Sequence, residues 1–216
     1  MKKFEIDRRA VIFLRVEFVI CILGAIYLFF APWKVNVVCA GMFIACMISI
    51  TAGYHRLFTH QAYECSKSIQ FILLGFGAAS TQWKAHVWSW WHDLHHAFTD
   101  KPMDPHSPRM YGFWTAQIGW ITWKRPKIKL GNCPRYLREN PMIRFQNNWY
   151  YDLMIIFGAL LPGGAAYVWC GYDVLAGIGA VFLSGPVSFR SALQRYATGL
   201  VNSMDHMYGT RRYSRE

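Results

Sequence analysis

The chain has 216 residues, enough for one domain with at most a small appendage. Apolar residues make up 54% and aromatics 17%, more than an ordinary soluble surface carries, yet the formal charge is +11. Apolar runs and basic segments must therefore be separated along the chain, and a membrane protein accounts for the charge with no nucleic acid as partner.

Residues 1–9 are short, polar and basic. Residues 10–31 form the first long apolar run, with Arg15 and Glu17 within about two turns of its start. These two are expected to reach the headgroup layer or to pair with each other. The run lacks a small-residue cleavage site and does not resemble a cleavable signal peptide. A second run, Val35 to Tyr54, has no charge. At 1.5 Å per residue it spans about 30 Å, one hydrocarbon thickness. His55 follows directly, at the expected membrane–water boundary.

Residues 69–80 are apolar but too short to span, which predicts an interfacial or core helix. The segment Trp83 to His96 reads as a helix that Pro102, Pro105 and Pro108 prevent from continuing. Residues 124–129 (Lys-Arg-Pro-Lys-Ile-Lys) read as an exposed basic strip drawn to anionic headgroups. Residues 153–170 and 174–189 are the third and fourth apolar runs, and the tail, 190–216, is polar and basic. The six cysteines are scattered without a CxxC pair and read as small packing residues.

Lys and Arg number five through Arg15, twelve over 55–152 and five over 190–216, against Lys34 alone on the opposite side. The positive-inside rule makes the 22-charge side, which holds every histidine, cytoplasmic. The expected fold is all-α and integral to the membrane: four transmembrane helices, at about 10–31, 35–54, 153–170 and 174–189, carry a cytoplasmic helical cap. The cap takes residues 55–152 and 190–216, and the whole of 1–216 forms a single domain.

On a helix, steps of three and four bring His95 and His96 back to the face of His92. That makes an imidazole surface two metal ions could share, imidazole suiting zinc, copper, iron and nickel alike. His55 and His60 bracket four residues. Their five-residue step turns an ideal helix through about 140°, so they share a face only if the helix unwinds; otherwise they would serve different ions. Asn202 and His206 are four apart, on one face.

His55-Arg56-Leu57-Phe58-Thr59-His60 followed by His92-Asp93-Leu94-His95-His96 resembles the first two histidine boxes of membrane fatty acid desaturases, with the stearoyl-CoA (Delta-9 acyl-CoA) group most similar. Asp104-Pro105-His106-Ser107, Gly119-Trp120 and the stretch from Asn202 to Gly209 fit as well. The resemblance implies a di-iron centre that uses O2 as co-substrate to remove two hydrogens from a long acyl chain. Membrane lipid, an acyl-CoA or acyl-lipid substrate, and an electron donor of cytochrome b5, ferredoxin or rubredoxin type are the implied partners. Carried over position by position, the metal ligands are His55, His60, His92, His95, His96 and His206, with Asn202 close through a water. His106 matches a position that is not usually a ligand and is expected to order the proline-rich loop; His86 is structural. Asp93 or Asp205 is expected to orient ring nitrogens.

The family pattern also implies a third HxxHH box beyond His206, and the chain ends at Glu216 without one. The expectation is a desaturase domain incomplete at its C-terminus. A second polypeptide supplying the box, or a metal-poor remnant with a structural or regulatory role, are the other accounts. In function the alternatives are a histidine-box membrane hydroxylase and a non-catalytic membrane protein binding lipid or a partner.

Overall fold

The computed structural model describes residues 5–208; residues 1–4 and 209–216, with Gly209 and the outermost charges counted above, lie outside the described residues. Helices account for nearly all of the architecture. Among the described residues the extended pairing is an isolated bridge between Ile6 and Trp123.

Helix α1 (Arg8–Tyr27) starts where the Asp7 side chain accepts from Arg9 N–H. After a short turn, α2 (Trp33–Ile48) runs without a break into a π-helical segment, Ser49–Thr59. His55 therefore lies inside this second long helix and not just past its end. Helix α3 (Lys67–Ala79), capped by Ser66, packs on the π-helical segment and so takes the core alternative of the two expected for it. Helix α4 (Ala85–Phe98) follows, then short helices α5 (Pro108–Tyr111), α6 (Phe113–Gln117) and α7 (Arg135–Arg138).

Helix α8 (Pro141–Ile155) is capped by Asn140, has proline in its first turn, and continues through a π-helical turn (Ile156–Leu160) into α9 (Leu161–Trp169). Helix α10 (Val174–Ser184) ends at the Gly185-Pro186 break. Helix α11 (Phe189–Met207) then starts at a reciprocal capping box of Ser188 and Ser191. Four stretches are long and apolar enough to cross a membrane: Arg8–Tyr27, Trp33–Thr59, Pro141–Trp169 and Val174–Met207. The protein is an all-α integral membrane protein.

The segment read as a polar tail is thus mostly the helix α11, and two of its cations are interior. Arg190 is fully buried and donates to the carbonyls of Ser184, Gly185 and Ala79 and to Gln194 Oε1, joining the ends of α10 and α3. Arg195 grips Glu17 with two nitrogens, at 2.9 and 3.0 Å. This corrects the expected pairing of Glu17 with Arg15, which is exposed.

One core cluster supports the site directly: Ile50, Tyr54, Leu57 and Phe58 of the π-helical segment meet Leu73 and Leu74 of α3, Ala85 of α4 and Ile143 of α8. At its centre the buried amide of Gln146 donates to Tyr54 Oη (2.6 Å) and the Leu74 carbonyl (2.9 Å) and accepts from Ala85 N–H (2.9 Å). A single side chain so fixes the start of α4 against two other elements, and α4 carries three histidines.

Candidate metal centre

The π-helical geometry decides where His55 and His60 go. Its backbone bonds run from residue i+5 back to i, so a five-residue step returns to the same face. His60 N–H donates to the His55 carbonyl at 3.0 Å, and the two rings meet edge to face at 4.6 Å. Both histidines thus share a face of an intact helix, correcting the α-helical expectation. Thr59 locks the turn, its hydroxyl bonding the Tyr54 carbonyl and Ser89 Oγ of α4, both at 2.7 Å.

His92 and His96 of α4 face this pair. His55, His60, His92 and His96 each bring a ligand-capable atom within 4.8 Å of the others. His92 Nε2 lies 3.1 Å from His60 Nε2 and 2.9 Å from His96 Nε2. Nitrogens bound to one ion at about 2.1 Å stand about 3 Å apart, so these contacts have the spacing of neighbouring ligands. Trp88 stacks on the His92 ring at 4.7 Å and 24°. Burial and then the surrounding imidazoles push the pKa of His92 down to about 2, which keeps it in the neutral form that binds metal. His60 and His96 are exposed, so the cluster is open on their side.

His95 leaves this group. One residue before His96, and so about 100° round the helix from it, it points to Asp104, His106 and His206. His95 Nδ1 lies 2.9 Å from Asp104 Oδ1, and its ring is 4.4 Å from His106 and 4.9 Å from His206. His206 Nδ1 lies 3.6 Å from Asp100 Oδ1. The two groups adjoin, the His95 and His96 rings being 5.6 Å apart. All six predicted ligands are therefore in one contiguous band, divided four and two.

Asp104 is the acid that sequence reasoning passed over. Burial raises its pKa, but contact with His95 and the N–H groups of Asp100 (3.0 Å) and His106 (3.1 Å) outweigh that and hold it below the usual range. Its position two residues before His106 was the available signal. Of the acids expected in this role, Asp93 instead accepts from Tyr136 Oη at 2.7 Å and Asp205 is exposed. His86 is buried and belongs to neither group.

A cavity of about 70 Å³ adjoins the metal-binding face, lined by Gln82, Trp88, His92, His106, Thr198 and Asn202 among others. Gln82 donates to Thr198 Oγ1 at 2.9 Å across its wall. It is too small for an acyl chain alone. It shares Trp83, Trp91, Ile121 and Arg195 with a groove of about 1070 Å³ that runs along α1, α8 and residues 121–130. Lys127 and Lys129 line that groove, but Arg125 departs from the exposed strip expected of 124–129. It turns inward, 4.0 Å from the Trp120 ring centre with Trp83 and Trp91 beyond 5 Å, and burial lowers its pKa to about 9.

These imidazoles and one carboxylate form a donor set that fits a transition-metal centre. No protein-family model matches the chain. The chain is 33% identical to acyl-CoA desaturase 1 of Saccharomyces cerevisiae over 164 residues, 76% of this chain and 31% of that protein. It is 30% identical to the sn-1 stearoyl-lipid 9-desaturase of Anabaena variabilis over 171 residues, 77% of this chain and 56% of the other. It is also 30% identical to the acyl-CoA Delta12-desaturase of Acheta domesticus over 200 residues, 89% and 54% respectively. The chain thus spans between 31% and 56% of the length of these relatives. Beside its membrane-spanning helices and gathered imidazoles, the chain is thus similar, over three quarters or more of its own length, to acyl-CoA and acyl-lipid desaturases.

Proposed function

We propose that this protein is an acyl-chain desaturase, an oxidoreductase that inserts a cis double bond into a long fatty acyl chain with O2 as co-substrate. The observation that supports it best is the meeting of four imidazoles, one of which, His92, lines a cavity that adjoins a long, partly basic groove. Two iron ions are the proposed cofactors. His55, His60, His92 and His96 would hold one; His95 and His206 stand at the second, which Asn202 would reach through a water. When bound, the irons supply the oxidising power that breaking an unactivated C–H bond requires.

The chain's own residues bind and orient. Trp88 sets the plane of His92, Asp104 fixes the His95 ring, and the Gln82–Thr198 bond shapes the wall along which the acyl chain lies. Relatives named for acyl-CoA and for stearoyl-lipid substrates support either carrier. Electrons would come from a donor of cytochrome b5, ferredoxin or rubredoxin type. The histidine boxes face the cytoplasm in this reading, with 1–216 as one domain; the Lys and Arg count supports it, although Arg190 and Arg195 are interior.

Expression in cells that require unsaturated fatty acids, followed by gas chromatography of their lipids, tests the reading. A new double bond, with about two irons per purified chain, is the expected result. An alcohol product would make the protein a hydroxylase, and absence of bound metal would leave a non-catalytic membrane protein.

A further inference from the structure

We propose that His95, His106 and Asp104 form a metal-binding set of their own, two imidazoles and one carboxylate, for a divalent transition metal beside the all-imidazole set. The inference rests on the two-metal reading above and deepens it by naming ligands for the second ion.

The atoms already stand around a common point. Asp104 Oδ1 is 2.9 Å from His95 Nδ1 and 3.8 Å from His106 Nδ1, and one ligand-capable atom of each residue lies within 4.8 Å of the others. His106 is only 6% exposed, and its Nδ1 has no hydrogen-bond partner among the described residues. A buried polar nitrogen left so is costly unless something outside the polypeptide engages it. Asp104, 1% exposed, forms ion-pair contacts only with these two imidazoles among the described residues. The N–H groups of Asp100 and His106 also donate to it, but no Lys or Arg forms an ion pair with it among the described residues, and a divalent cation would supply that countercharge.

Two histidines and a carboxylate with further positions open suit ferrous iron, and also bind cobalt and zinc. This set carries a negative charge where the His55, His60, His92 and His96 set is neutral, so the two ions would sit in different fields. His206, beside His95, is placed to add a fourth donor. The competing role for Asp104 is to orient His95 and leave its Nε2 to the metal. His106 separates the two: it is a ligand in the first case and irrelevant in the second.

The full chain in detergent, stripped of metal and titrated with Co²⁺ alone, gives the test, with circular dichroism recorded for each variant. Wild type is expected to show two classes of site. His106→Asn and Asp104→Asn should each weaken one class by about tenfold or more and spare the other, which also reports that the variant has folded. A His92→Asn/His96→Asn pair should remove only the other class. If His106→Asn leaves both classes unchanged, the inference is overturned while the two-metal reading stands. If wild type binds no Co²⁺, both fall.

Discussion

His92 and His106 have pKa values of about 2 and about 3, against about 6.5 in an unfolded chain. Burial is the main cause for both, followed by His96 for the first and His95 for the second. The folded protein keeps these rings neutral, so below pH 6.5 the unfolded state binds protons that the native state does not. The metal-free protein should lose stability as pH falls from about 6.5, by at most about 1.4 kcal/mol per pH unit for each ring. Thermal melts at pH 7.5 and pH 5 should show a lower transition at pH 5; equal transitions would mean the rings are not held neutral. Glu17 and Arg195 give a second residue-level prediction. Glu17→Gln leaves a buried guanidinium without its carboxylate and should cost about 3–5 kcal/mol, whereas Glu17→Gln with Arg195→Met should recover part of it. Denaturation of the single and double variants measures the difference, and full additivity would contradict the pairing.

The element that shapes the site is the π-helical segment, and it was not legible in the sequence. Steps of three and four within His92–His96 follow from ideal helical geometry, so that box was legible, apart from the turn of His95 toward Asp104. The five-residue step from His55 to His60 has no such reading, because the extra residue per turn is imposed by tertiary contacts, with Thr59 tied to Ser89 and α3 packed alongside. Gly77 of α3 permits that packing. A Cβ placed there would lie 2.4 Å from the Tyr54 ring, which is fully buried one residue from His55. Gly77→Ala should therefore cost about 1–3 kcal/mol through overpacking. It should also weaken Co²⁺ binding at the four-histidine cluster, as read by titration. A variant with wild-type affinity and melting would show that the segment does not depend on this contact. Helix α11 was hidden for another reason: Arg190 and Arg195 have side chains usually found at the surface, so their burial reads as a polar tail.

At the scale of the molecule, the spans and the gathering of histidines were legible because apolar length and metal-binding residue types are local signals. The contacts that join distant segments were not. Glu17 and Arg195 are 178 positions apart, and no periodicity links them. Asp104 stands on a proline-rich loop whose path only the folded chain reveals. The proposed orientation is tested by single reporter cysteines: one at Tyr172 should be labelled only from the outer face and one at Lys127 only from the cytoplasmic face. Labelling of both from the same side would contradict the four-span arrangement. The central claim is that imidazoles from separate helices hold the metal, and X-ray absorption of the iron-loaded protein measures this most directly. The account predicts a nitrogen and oxygen shell with imidazole outer-shell scattering, diminished in a His60→Asn/His96→Asn variant. Sulfur scatterers, or a shell unchanged by those substitutions, would contradict it.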